Sequence, residues 1–62
     1  MANTTYAIVK NPYRREYIVI EDSEVDFWLD EGYEYCLGGI HSRVSADAAA
    51  RVLSREGDAI LV

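Results

Sequence analysis

Cys36 and His41 are the side chains of this 62-residue chain whose chemistry suits a nucleophile and a base, and the chain holds one of each. Nucleophilic catalysis needs the two in hydrogen-bond reach, usually with a third group orienting the base. A separation of five residues beside a strand supplies neither condition. Cys36 therefore reads as a small buried hydrophobe, and His41 as an exposed loop residue. One cysteine and one histidine also fall short of the four ligands of a structural zinc site. A lone cysteine forms no internal disulfide, which fits the reducing cytosol. Gly38-Gly39 lacks the further glycines, the lysine and the following helix of a phosphate loop, so it reads as a turn or bulge. The carboxylates never form the Asp-x-Asp-x-Asp-Gly pattern of a calcium loop. No catalytic, cofactor or metal site is expected, and the chain is expected to act by binding rather than as an enzyme.

The carboxylates do cluster. Residues 21–34, EDSEVDFWLDEGYE, contain Glu21, Asp22, Glu24, Asp26, Asp30, Glu31 and Glu34, and no base. One reading is a solvated face that keeps a small protein soluble. The other is an acidic interface, and two details favour it. Asp26 and Asp30 stand four apart on one helical face, a like-charge pair costing a few tenths of a kcal/mol. Asp30 and Glu31 occupy the last helical turn, where the backbone dipole disfavours anions by about 0.3–1 kcal/mol. Local rules broken without compensation tend to mark functional sites. Phe27 lies off the Val25-Trp28-Leu29 stripe, and so short a helix cannot bury Phe27 and Trp28 equally. One of them should be part-exposed, an aromatic ringed by carboxylates and suited to anchor on a basic protein surface. The candidate partner-binding residues are Asp22, Glu24, Asp26, Phe27, Asp30, Glu31 and Glu34.

These residues need elements to hold them. Residues 5–10 and 15–21 are β-branched and aromatic, as strands prefer. Asn11-Pro12 between them signals a turn, giving a hairpin. Ser23, with Asp26 three residues on, resembles a capping box that opens a helix over about 24–31. Gly32 suits the left-handed residue beyond its end. Residues 33–37 form a third strand, and 40–44 either extend it or form a loop. Ser45 caps a second, alanine-rich helix over 46–56, stopping at Gly57. Residues 58–62 make a closing strand. The expectation is a single α+β domain over residues 1–62, β-β-α-β-α-β, with a four-stranded, mostly antiparallel sheet and both helices on one face.

A chain this short buries only about 60% of its unfolded surface, so the core is thin. No apolar stretch approaches the roughly 20 residues of a membrane span. The start shows no basic segment leading into a hydrophobic one, so no secretory signal is read and a cytoplasmic location is expected. Eleven acids against six bases give a net charge of −5. That balance disfavours direct contact with nucleic acid, whose phosphates need Lys and Arg. It favours a basic protein partner, or simply solubility.

An acidic chain of this size, with one sheet, short helices and the run Glu21 to Glu34, resembles phage-encoded inhibitors. It is most similar in character to the anti-CRISPR proteins and, more broadly, to nucleic-acid mimics. That resemblance implies that Glu21, Asp22, Glu24, Asp26, Asp30, Glu31 and Glu34 stand in for phosphates, or plug a basic patch, on a CRISPR-Cas effector subunit in a host cytosol. It implies a monomer, no cofactor and no membrane partner. The rival is a regulatory or self-assembling module completed by pairing of an edge strand over 59–62.

Overall fold

The computed structural model describes the backbone of residues 4–14 and 16–60 and the side chains of 4–14 and 16–55. Its elements are β1 (Tyr6–Asn11), β2 (Glu16–Glu21), a 3-10 turn (Asp22–Glu24), α1 (Val25–Asp30), β3 (Glu34–Ile40) and α2 (Arg43–Ile60). The class is α+β, built on a three-stranded antiparallel sheet in the order β2-β1-β3. The Asn11 side chain accepts the Tyr13 amide at 2.9 Å, an Asx turn that closes the β1–β2 hairpin.

The two helices lie on opposite faces of the sheet, not on one. Ala7 pairs with Ile20 and Val9 with Ile18. These side chains share one face and pack with Val25 and Trp28 of α1 and with Tyr33. The alternate positions Ile8, Tyr17 and Val19 must point the other way. Tyr17 and Val19 line a cleft with Asp47, Ala50 and Ser54 of α2, and Ile8 and Ala46 are fully buried. Each face has its own small core because the central strand, β1, carries three consecutive buried residues, Ala7, Ile8 and Val9. Such a run points apolar groups to both sides and needs a cover on each.

Expectation and structure part at the second helix and the chain's end. The helix starts at Arg43 because Ser42, not Ser45, caps it. The Ser42 carbonyl accepts the Ala46 amide at 2.9 Å, and its Oγ accepts the Ser45 amide at 3.4 Å. It also continues through Gly57 to Ile60, so residues 58–60 are helical rather than a fourth strand. The rest of that expected strand, 61–62, lies outside the described residues. Glycine in a helix costs about 1 kcal/mol relative to alanine, which weakens a helix without obliging it to end.

At the first helix, Ser23 makes no cap. It sits in the 3-10 turn, and Glu24 enters α1 with near-helical angles and no side-chain cap bond. The C-terminus follows expectation. Gly32 has φ 99°, its amide bonds the Leu29 carbonyl at 3.0 Å, and the Tyr33 amide bonds the Trp28 carbonyl at 3.1 Å. This is a Schellman closure, and its accompanying apolar contact is the edge-on Trp28–Tyr33 pair, centroids 4.8 Å apart. Residues 38–40 extend β3. Between the Tyr6–Ile40 and Ile8–Leu37 pairs, Ala7 alone stands opposite Gly38 and Gly39, so Gly38-Gly39 is a bulge, with Gly39 at φ 69°.

Candidate protein-binding surface

The α1 helix is held by its inner side, where Val25 and Trp28 pack on the sheet. At 100° per residue, Phe27, Asp30 and Glu31 share the opposite side. Phe27 is 62% exposed and Leu29 is 41% exposed, while Asp26, Asp30 and Glu31 are exposed around them. The Phe27 ring is propped edge-on against Trp28, with centroids 5.9 Å apart. The helix has an acid in its first turn and no base in its last. The result is an apolar projection rimmed by carboxylates. Phe27 is the part-exposed aromatic; Leu29, assigned to the buried stripe from its spacing, lies at the edge of the exposed side instead.

The other acids divide by what they touch. Glu21 and Glu24 are exposed at the junction of β2 and α1. Asp22 is half-buried and works inside the fold: its Oδ2 accepts the Thr5 hydroxyl and the Gly39 amide, the latter at 3.2 Å. The Asp22 amide also donates to the Thr5 carbonyl at 2.9 Å. Asp22 thus ties the entry of β1 to the bulge of β3. Glu34 is exposed but stands opposite Lys10 in the sheet register, a cross-strand pairing of opposite charge. Glu24, Asp26, Phe27, Asp30 and Glu31 form the uncompensated part of the surface.

No family model matches the chain, and no curated protein or solved structure is similar to it. The function must be read from the side chains.

The half-buried Cys36 thiol lies 3.9 Å from the Glu34 carbonyl oxygen of its own strand. Burial pushes its pKa up, with Lys10 opposing the rise and Glu34 adding to it. An activated thiol is shifted downward. Among the described residues no group of three or more His, Cys, Asp or Glu side chains could hold a metal, and no helix is long and apolar enough to cross a membrane.

One feature escaped the sequence reading. An open cleft of about 660 Å³ runs between β2 and α2, lined by Tyr17, Val19, Arg43, Asp47 and Arg51, with Glu16 at its side. Its two arginines are matched by two acids, so it has no formal charge preference.

Proposed function

We propose that this chain is a protein inhibitor of the anti-CRISPR kind. In this reading it works by occupying a basic, nucleic-acid-binding surface of a host defence effector in a bacterial cytosol. The observation that carries the proposal is Phe27, exposed at the centre of a helix side whose neighbours are Asp26, Asp30 and Glu31. A large aromatic left in water costs hydrophobic free energy and crowded like charges oppose folding, and binding a basic partner would relieve both. Carboxylates would steer the encounter and set its register, and the desolvated aromatic would supply affinity. The chain would bind as a monomer, without cofactor, and would compete with nucleic acid rather than contact it.

The test is inhibition of target-DNA binding by a panel of purified, guide-loaded CRISPR-Cas effectors. Wild type should inhibit at least one. Phe27→Ala should weaken that inhibition by about 30-fold or more, the loss typical of a central anchor. Its melting should change little, because the ring is mostly in water. Failure of wild type against every effector would rule out the anti-CRISPR reading.

A further inference from the structure

The outer edge of β2 is a second surface that the fold leaves open. In the order β2-β1-β3 no strand among the described residues pairs with it. The Asp22 amide bonds the Thr5 carbonyl, and hydrogen-bonded pairs alternate along an antiparallel ladder. In the β1–β2 register Ile20 and Ile18 therefore bond to β1, whereas the backbone groups of Tyr17 and Val19 point outward. These two residues also turn their side chains toward α2. The cleft beside them is lined as well by Ile18, whose side chain packs on the α1 side of the sheet. The cleft thus reaches the backbone edge of β2. Its other wall is one face of α2, where Arg43, Asp47 and Arg51 follow at i, i+4 and i+8. Charge alternates in sign along that wall.

We infer that the cleft takes an extended peptide segment of a partner protein, which adds to the free edge of β2 as a fourth strand alongside α2. The guest backbone pairs with Tyr17 and Val19. Its alternate side chains point to the same face as theirs and recur about every 6.6 Å, while four helical residues rise about 6 Å. Three alternate guest residues therefore meet Arg43, Asp47 and Arg51 in turn. Complementarity fixes them as an acid, a base and an acid, a pattern that reads the same in either strand direction. A second copy of β2 is a poor guest: full antiparallel overlap sets Glu16 against Glu21, and like charges destabilise a cross-strand pair. This inference is independent of the inhibitor reading, which rests on α1.

Two capped heptapeptides test it, Thr-Glu-Thr-Lys-Thr-Glu-Thr and its charge-inverted form Thr-Lys-Thr-Glu-Thr-Lys-Thr. Each is titrated into the isotope-labelled protein and followed by amide chemical shifts. The first should bind about 10-fold more tightly, the difference expected of three exposed ion pairs, and should shift the Tyr17 and Val19 amides. The protein carries −5, so general attraction favours the inverted, net-positive peptide and cannot explain this preference. N-methylation of the first peptide's backbone should abolish its binding, because strand pairing needs the amide donors. Arg43→Glu/Asp47→Arg/Arg51→Glu should reverse the preference. No binding of either peptide at low-millimolar concentration, equal affinity for both, or binding that survives N-methylation would each overturn the inference. So would a triple variant whose amide spectrum shows it folded yet which keeps the wild-type preference.

Discussion

Removing the Asp22 carboxylate should loosen the whole fold, although the residue lies within the acidic run. Its Oδ2 holds two donors from distant parts of the chain, the Thr5 hydroxyl and the Gly39 amide. Hydrogen bonds to a charged group contribute about 1.5–3 kcal/mol when well buried. Asp22 is half-buried, so about 1 kcal/mol for each bond is the fitting figure, and Asp22→Ala should cost about 2 kcal/mol in all. For a domain of this size each kcal/mol shifts the melting midpoint by roughly 4–8 °C, so a fall of about 8–16 °C is expected. Asp22→Asn keeps an oxygen in place and should lose less than half as much. Thr5→Val removes one donor, so combining it with Asp22→Ala should add little, because the two share a bond. Circular-dichroism melting of the four variants completes the cycle. An Asp22→Ala midpoint within about 2 °C of wild type would refute the tie. If that variant also lost inhibition, Asp22 would belong to the partner surface instead.

At the start of α2, Ser42→Ala should cost about 1 kcal/mol, the usual loss of a serine cap, whereas Ser45→Ala should be neutral or slightly stabilising. Urea melts of the pair decide which serine caps, and equal losses would contradict the assignment to Ser42. The raised pKa of Cys36 predicts slow alkylation, with a pH midpoint above that of an unfolded cysteine peptide. Since the folded thiol holds its proton more tightly, stability should be constant below the unfolded pKa and decline as pH rises toward the folded one. Cys36→Ala should remove that decline, and a decline that persists in the variant would place its origin elsewhere.

The sequence made the hairpin and the glycine closure of α1 legible because each rests on a local rule, a turn residue or a left-handed angle, whereas Gly38-Gly39 was readable only as a turn or a bulge. That one of Phe27 and Trp28 would be part-exposed was legible for a related reason, since so short a helix has room for one buried aromatic. What local rules could not deliver was competition between equivalent signals. Ser42 and Ser45 are both plausible caps, and the earlier one prevails. Residues 58–60 have strand-like character, yet an alanine-rich helix already under way extends through them. Placing both helices on one face missed the consequence of Ala7-Ile8-Val9, whose three buried positions need cover on both sides. The structural role of Asp22 depends on Thr5 and Gly39, each 17 residues away, and no local pattern announces it.

The central claim is that the side of α1 around Phe27 is an interface and not merely a solvated face. Reversing Asp26 and Asp30 to lysine tests it most directly, with inhibition and melting measured on the same preparation. Both side chains are exposed, and the change removes a like-charge pair while placing a cation in the last turn of α1. Inhibition of the responsive effector should be abolished, because attraction becomes repulsion, while the melting midpoint holds or rises slightly. Inhibition unchanged from wild type would contradict the claim, and a collapse of both would assign these carboxylates to the fold instead.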